Sequence, residues 1–297
     1  ISNFFLQDII PVSKPHTTIK TRLLTGDISK ESYCAQLVEM KPDIIFHLAS
    51  VVSGEAEKDF DKGWLMNSRA TWHLLENIRK VNMFSGGAYR PKLIFTSSIA
   101  VFGPPFPDKI GDDFLCAPQT SYGAQKAINE MLIADYSRKG FVNGISIRLP
   151  TICVRPGKPN LAASSFFSGI IREPLNGMEA NLPVSTDVRH WHASPRSAAS
   201  FLSHCLDLDL HKLGSRRSLN MPGLSCTIEE QIEALRNVAG NKVVSLIKQK
   251  PDEAIIKIVD GWPQNFETTR ATNLGFSAET DFSEIIQVYI SDDLEKP

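Results

Sequence analysis

The sequence predicts an α/β protein in which a doubly wound parallel sheet is followed by a smaller C-terminal α/β lobe. Between residues 3 and 150, apolar stretches of strand length alternate with stretches of helical periodicity, an order typical of strand–helix–strand units. One of these stretches, residues 43–52, is almost continuously apolar, as expected of a parallel strand covered on both faces. We therefore expect a sheet domain over residues 1–150 and a lobe formed mainly by residues 151–297.

Composition narrows the possible functions. The chain has 297 residues and a formal net charge of −1, with 32 basic and 33 acidic residues. The sequence has no stripe of basic residues of the kind that binds nucleic acid, so we expect no nucleic-acid partner. Its longest apolar runs have only strand length, so we expect no membrane span. The five cysteines are scattered, odd in number and without a Cys-x-x-Cys pair. This pattern favours reduced, mostly buried thiols in a cytoplasmic protein, and no metal site is predicted.

The first predicted strand covers residues 3–11 and is expected to be buried. In a dinucleotide-binding sheet, an acid at the end of the second strand binds the adenosine ribose hydroxyls and repels the 2′-phosphate of NADP. Asp8 fits this position, although an ordinary strand-end acid is the alternative. The Gly-rich turn of such a sheet lies upstream of this strand, and Gly26 and Gly54 are isolated and cannot replace it. We therefore expect an N-terminal βα unit that this chain lacks.

The next elements are a strand over residues 19–24, a helix over 29–40 and the apolar strand over 43–52. Asp27 stands before the helix and could cap it. The apolar strand ends in small residues, Ala49 and Ser50, which allow a ligand to approach the backbone at the carboxyl end of the sheet.

Two further strands and two long helices complete the sheet domain. The strands are expected over residues 93–98 and 144–150, and the helices over 64–80 and 121–139. In the first of these helices we expect four apolar side chains to face inward, those of Leu65, Trp72, Leu75 and Ile78. After residue 150 the periodicity weakens, but Thr227 and Glu230 have the spacing of a helix capping box.

Tyr122 and Lys126 stand four residues apart at the start of the second long helix, so their side chains lie on one face. A free phenol has a pKa of about 10, and proton transfer near neutrality needs a shift of about three units, or roughly 4 kcal/mol. One cation at about 4 Å in a partly buried site supplies an interaction of that size. The pair could therefore act as a general acid–base, although this spacing also arises by chance on many helices.

An apolar strand that ends in a pair of serines, Ser97 and Ser98, precedes this pair by about twenty residues. Together the two motifs resemble those of the extended short-chain dehydrogenase/reductase family, the NAD-dependent epimerase/dehydratase type. That family has a Ser or Thr at a strand end and then Tyr-x-x-x-Lys, and Ser98, Tyr122 and Lys126 match these three catalytic positions. The resemblance implies a Rossmann-like fold with NAD as the cofactor.

The resemblance also implies which residues bind the cofactor. They lie at strand ends, in the first long helix and in the catalytic pair: Asp8, Asp27, Ile28, Leu48, Ala49, Ser50, Asn67, Tyr122, Lys126 and Pro150. For Asn67, a buried amide that bridges backbone groups is a second interpretation, compatible with the first.

Several cations follow residue 150, namely Arg155, Lys158, Arg189 and Arg196. Such a set suits a carboxylate or phosphate, although any one of them alone could be a surface cation. The stretches 148–160 and 189–195 resemble the subgroup of the family that oxidises D-erythronate. This implies NAD-dependent oxidation of the 2-hydroxyl of a short sugar acid to a 2-keto acid. The substrate-binding residues implied are Ser53, Ser98, Thr151, Arg155, Arg189 and His192.

Two other functions stay open. In relatives that act on sugar nucleotides an Asn helps to hold the substrate where Thr151 stands here, which speaks against an epimerase or dehydratase of sugar nucleotides. A non-catalytic dinucleotide-binding regulator would not need the intact set of Ser98, Tyr122 and Lys126. The resemblance further implies a homodimer that forms through the long helices over residues 62–81 and 121–139.

Overall fold

The computed structural model describes residues 1–157 and 162–294, and strands alternate with helices over its first half, as predicted. In chain order the elements up to residue 152 are β1 (Asn3–Asp8), β2 (Lys20–Thr25), α1 (Glu31–Glu39), β3 (Ile44–His47), α2 (Ser53–Lys58), α3 (Phe60–Gly63), a π-helical turn (Trp64–Arg69), α4 (Ala70–Phe84), β4 (Lys92–Ser98), a 3₁₀ turn (Ile99–Val101), α5 (Ser121–Arg138), β5 (Asn143–Leu149) and β6 (Thr151–Ile152).

The second half contains shorter strands between helices. Its elements are α6 (Ser165–Leu175), β7 (Ala180–Leu182), β8 (Arg189–Ala193), α7 (Pro195–Asp207), a 3₁₀ turn (Leu210–Leu213), β9 (Ser218–Asn220), β10 (Leu224–Thr227), α8 (Ile228–Ala239), α9 (Asn241–Val244), β11 (Ile247–Gln249), α10 (Glu253–Asp260), α11 (Thr269–Asn273) and α12 (Phe282–Asp292). Among the described residues, no helix combines the length and the apolar character needed to cross a bilayer.

The parallel strands of the first half form two separate sheets. β1 pairs with β2, and a second sheet has the order β3–β4–β5–β9. The prediction that β1 is buried is wrong: it pairs along one edge only, and its residues are half-buried or exposed. The expected βα unit before residue 1 stays a prediction. The α/β class with a parallel sheet is confirmed.

Helices cover both faces of the second sheet, as three successive residues of β4 illustrate. Leu93 and Phe95 pack in a core with α1, α4 and α5, whereas Ile94 packs in a core with α7 and α11. Successive side chains of a strand point to opposite faces, so an apolar residue is needed at every position when both faces are covered. This covering is what makes the fold doubly wound.

The chain after residue 150 forms further small sheets and also returns to the parallel sheet. β8 is the centre of a three-stranded sheet with β10 and β6, and β9 pairs with β5. The boundary at residue 150 stays a prediction. The capping box before α8 is confirmed, since the Glu230 N–H donates to the Thr227 hydroxyl and the Thr227 N–H donates to the Glu230 carboxylate.

The helix predicted over 64–80 starts as a π-helical turn and continues as α4 to Phe84. Leu75 and Ile78 are fully buried, as predicted, but Leu65 is 37% exposed and Trp72 is 44% exposed. The prediction is wrong for these two because the buried stripe of α4 runs through Leu75 and Ile78, and Trp72 lies one residue off it. Leu65 lies in the π-helical turn, whose period differs from that of an α-helix.

Close packing between α5 and the 3₁₀ turn after β4 depends on Gly123. A Cβ atom at this position would lie 2.1 Å from the carbonyl oxygen of Ala100. The substitution Gly123→Ala should therefore push the start of α5 away from the turn and lower the free energy of unfolding by about 2 kcal/mol. Urea denaturation measures this change.

Gly169→Ala in α6 is the matched control, because a Cβ atom there would meet only the Glu173 side chain, at 3.6 Å. Replacing Gly by Ala within a helix normally stabilises it by up to about 1 kcal/mol. The control should therefore be neutral or more stable. Equal unfolding free energies for the two variants would contradict the packing described at Gly123.

Candidate active site

The three residues predicted to be catalytic converge at the carboxyl end of β4. Ser98 is the last residue of this strand, and its side chain caps the 3₁₀ turn by accepting from the Ala100 N–H at 3.1 Å. Tyr122 lies in the first turn of α5, close enough to Ser98 for the serine side chain to lower the pKa of the phenol. The Nζ atom of Lys126 lies 5.4 Å from the centroid of the Tyr122 ring. One strand end and one helix thus supply the whole set.

Lys126 is buried beneath this set and held by the backbone. Its side chain donates to the carbonyl oxygen of Thr96 at 2.8 Å, and its Nζ atom lies 4.7 Å from the centre of the Phe95 ring. Only 3% of the residue is exposed. Because β4 supplies both the carbonyl and the ring, the ammonium has a fixed position relative to Ser98 at the end of the same strand.

Burial controls the proton affinities of the pair. It raises the pKa of Tyr122 to about 12, an effect that the neighbouring Ser98 side chain opposes. It lowers the pKa of Lys126 to about 7, and the nearby Glu130 carboxylate opposes this shift. The prediction that Lys126 lowers the phenol pKa is therefore wrong for this structure. Both charged forms lose hydration, and near neutrality Lys126 is only partly protonated.

Asn67 is a buried bridge between the end of β3 and α5. Its Oδ1 atom accepts from the Ser50 hydroxyl and from the Val51 N–H, both at 2.8 Å, and its Nδ2 atom donates to Gln125 Oε1 at 2.7 Å. The Asn129 amide donates to the Asn67 carbonyl oxygen at 2.7 Å. The bridging interpretation of Asn67 is thus confirmed, and its contact with a cofactor stays a prediction.

A second buried network, which the sequence did not reveal, lies one helical turn beyond Lys126. Glu130 accepts two-pronged hydrogen bonds from Arg148, the closest at 2.7 Å, and accepts another from the Ser97 hydroxyl. Arg148 also donates to Asn220 Oδ1 at 3.2 Å. A spacing of four residues from Lys126 was the available signal for Glu130, since it predicts a shared helix face.

The predicted cofactor residues lie near the carboxyl ends of parallel strands. Ser98 pairs with Leu149, so Pro150 follows directly beside the catalytic strand end, and Asp8 pairs with Thr25, just before Asp27. The others in this group are Ile28, which is half-buried, Leu48 and Ala49, which are exposed, and Ser50, which is half-buried. Their contacts with a cofactor stay predictions.

The predicted substrate residues are more dispersed. Ser53 starts α2 and is half-buried, while His192 has no exposed surface and packs against Phe167 and Phe282. The Thr151 hydroxyl lies 2.7 Å from His190 Nε2.

The cations after residue 150 have different surroundings. Arg189 pairs with Glu230 at 3.2 Å and Arg196 pairs with Asp292, whereas Lys158 lies outside the described residues. Over the described ranges, no carboxylate lies within ion-pair distance of the half-buried Arg155. Of the three predicted cations that the structure describes, Arg155 is therefore the one whose charge has no carboxylate partner.

Comparison with known proteins identifies the family. The profile of the NAD dependent epimerase/dehydratase family matches residues 7–192. The chain belongs to this family. The predicted family is therefore confirmed, and so is the predicted enzyme class, a nicotinamide-dependent oxidoreductase, because two relatives over 40% identical are dehydrogenases.

Three relatives of this family member are informative. It is 46% identical over 273 residues to D-erythronate dehydrogenase of Cupriavidus necator, covering 92% of this chain and 82% of that protein. It is 41% identical over 294 residues to D-erythronate dehydrogenase of Haemophilus influenzae, covering 99% and 91%. A crystal structure described as the nucleoside-diphosphate-sugar epimerase from Agrobacterium tumefaciens superposes with a TM-score of 0.94 at 55% identity, covering 98% of this chain and 85% of that chain.

The buried Lys126 should make stability depend on pH. Its pKa is about 7 in the folded protein against 10.5 for the ordinary side chain. Between these values the unfolded chain binds a proton that the folded protein does not, so stability rises with pH. Relative to Lys126→Met, the wild-type free energy of unfolding should increase by up to about 1.4 kcal/mol per pH unit across that range.

Urea denaturation of both proteins at several pH values between the two limits measures this difference. The exposed Lys139, just after α5, provides the control substitution Lys139→Met. The difference in unfolding free energy between this control and wild type should not change with pH. If the difference between Lys126→Met and wild type is also independent of pH, Lys126 stays charged when buried.

Proposed function

We propose that this chain oxidises the 2-hydroxyl of a short sugar acid, of the D-erythronate type, to a 2-keto acid with NAD as the hydride acceptor. The observation that carries the proposal is the convergence of Ser98, Tyr122 and Lys126 at one strand end. The names of two relatives, at 46% and 41% identity, support the substrate class.

The residues at the strand ends fit a dinucleotide. The Asp8 carboxylate is exposed at the end of β1 and accepts one hydrogen bond, from the Ile10 N–H at 3.2 Å, which leaves acceptor capacity for a pair of ribose hydroxyls. Its negative charge would repel a 2′-phosphate, which favours NAD over NADP. When bound, the nicotinamide supplies the hydride chemistry, and the protein supplies binding and proton transfer.

The proton of the substrate hydroxyl would pass to the oxygen of Tyr122. Ser98 lies beside that phenol and can bind the same substrate oxygen, which orients the alcohol toward the base. Lys126, fixed by the Thr96 carbonyl, places its amine beside the ring. In its protonated form this amine stabilises the phenolate, so the Tyr122–Lys126 pair works best when they share one proton.

Arg155 is the candidate partner of the substrate carboxylate. Burial and the neighbouring Arg172 lower the pKa of Arg155, so its positive charge is poorly compensated. An anionic ligand would relieve this repulsion, and a planar guanidinium can bind a carboxylate through two parallel hydrogen bonds. Arg189, by contrast, already has Glu230 and the Ser225 carbonyl oxygen as partners.

An epimerase or dehydratase of sugar nucleotides is the second candidate. The name of the Agrobacterium relative, at 55% identity, favours it. Thr151 stands where relatives that hold a sugar nucleotide have Asn, which speaks against it. The two functions differ in their use of the cofactor, because a dehydrogenase releases NADH whereas an epimerase regenerates its cofactor in each cycle.

Exposed apolar side chains support a homodimer through α4 and α5. Trp72 is 44% exposed, Ile128 is 37% exposed and Met131 is 69% exposed. Apolar side chains grouped on neighbouring helices are typical of protein interfaces.

A cytoplasmic location stays a prediction.

The substitution Tyr122→Phe should remove the proton acceptor but keep the ring. We expect turnover to fall by at least about a hundredfold, because general acid–base catalysis typically contributes about 10²–10⁴. Binding of NAD, followed by protein fluorescence, should change little. The matched control is Tyr136→Phe in the same helix, whose phenol binds Glu76 instead. A Tyr122→Phe enzyme as fast as the control would disprove the role of Tyr122.

A screen of NADH formation tests the substrate class. The full-length protein is incubated with NAD or NADP and with D-erythronate, other short 2-hydroxy acids, or UDP- and GDP-sugars. Absorbance should rise with NAD and the four-carbon acids, and the product should react as a 2-keto acid. Conversion of a nucleotide sugar without net NADH would establish the epimerase function instead.

A further inference from the structure

The hydrogen-bond chain that ends at Thr151 has a fixed direction. His190 Nδ1 lies 3.0 Å from the carbonyl oxygen of Pro263, and His190 Nε2 lies 2.7 Å from the Thr151 hydroxyl oxygen. A carbonyl oxygen can only accept, so Nδ1 must carry the ring proton. In a neutral imidazole Nε2 is then an acceptor, and the Thr151 hydroxyl must donate to it.

The surroundings of His190 keep the ring neutral and in this orientation. The residue is 2% exposed, stacks on Phe167 with ring centroids 5.2 Å apart, and packs against Trp262 at the same centroid distance. Burial lowers the pKa of His190 to about 4, so the ring is uncharged near neutrality. Turning the ring over would place carbon atoms at both hydrogen-bond partners, so the observed orientation is the one that satisfies both.

We propose that Thr151 accepts a hydrogen bond from a substrate hydroxyl other than the reacting one, and that His190 is the positioning residue that imposes this role. The inference rests on the proposed oxidation of a sugar acid. Thr151 is partly exposed and follows Pro150, just beyond the residue that pairs with Ser98. Because its proton is committed to His190, its oxygen offers a ligand only lone pairs.

This polarity selects the chemical class of the substrate. A hydroxyl can donate to Thr151, whereas a carboxylate or keto oxygen would face it lone pair to lone pair. Arg155 has the opposite property, since a guanidinium only donates. The two residues would therefore recognise opposite ends of a polyhydroxy acid, and a reversed substrate would meet two mismatches. A simple 2-hydroxy acid would leave Thr151 without its partner.

The tautomer of His190 can be measured without any turnover. Full-length protein labelled with ¹⁵N at its seven histidines is examined by NMR near neutral pH, and the His190→Phe variant assigns the signals. We expect Nδ1 to be protonated and Nε2 to be bare. A ring that carries its proton on Nε2, or on both nitrogens, would overturn the inference whatever the enzyme oxidises.

Substrate analogues test the contact itself. D-Erythronate is compared with its 3-deoxy and 4-deoxy analogues in wild type, Thr151→Val and Thr151→Ser. In wild type and Thr151→Ser, removing the recognised hydroxyl should lower kcat/KM by about 10- to 100-fold, whereas Thr151→Val should lose little from the same removal because its acceptor is already absent.

The outcomes separate the two hypotheses. If removal of the hydroxyl lowers kcat/KM by the same factor in wild type and in Thr151→Val, the assignment of Thr151 is overturned. The dehydrogenase function would stay intact. If wild type oxidises none of these acids, the proposed function fails first, and the role of Thr151 falls with it even when the His190 tautomer is as expected.

Discussion

The buried ion pair between Glu130 and Arg148 is the interaction on which the arrangement of the active site depends. Glu130 belongs to the helix that carries Tyr122 and Lys126, Arg148 belongs to β5, and the Ser97 hydroxyl joins them from β4. Both ions are about 5% exposed, so each would be very costly to bury alone. Their mutual hydrogen bonds offset that cost only when helix and strands are in register. The pair therefore fixes the distance between the strand end of Ser98 and the face of α5.

Burial then decides the acid–base character of the site. Lys126 and Tyr122 are removed from water by the same packing, and each loses part of the stability of its charged form. Glu130 partly restores the proton affinity of Lys126 from one turn away. Lys126 therefore does not simply lower the pKa of the neighbouring phenol. Tyr122 and Lys126 are both desolvated and share one proton, and the Glu130–Arg148 ion pair influences which of the two groups holds it.

The two histidines of β8 act in a different way. His190 and His192 are both buried among aromatic rings, where burial lowers their pKa values, so they act as neutral hydrogen-bonding groups. The Pro263 carbonyl oxygen accepts the proton on Nδ1 of His190, so Nε2 accepts a hydrogen bond from the Thr151 hydroxyl near the catalytic strand end. A rigid apolar surrounding is what makes this possible, because it prevents both protonation and rotation of the ring. Strand β8 thereby determines the direction of a hydrogen bond through a neutral side chain.

The sequence by itself determined the parallel α/β sheet, the limits of α5 to within a residue, the capping box before α8, and the grouping of Ser98, Tyr122 and Lys126. These follow from local periodicity, from capping chemistry and from an ordered pair of motifs, all of which are encoded in short segments. Only the tertiary structure decided the exposure of β1 and Trp72, the burial of His192, the pairing of Glu130 with Arg148, and the direction of the proton between His190 and Thr151. Each of these depends on which distant backbone or side chain supplies the partner, and desolvation is a property of the assembled fold that no short segment encodes.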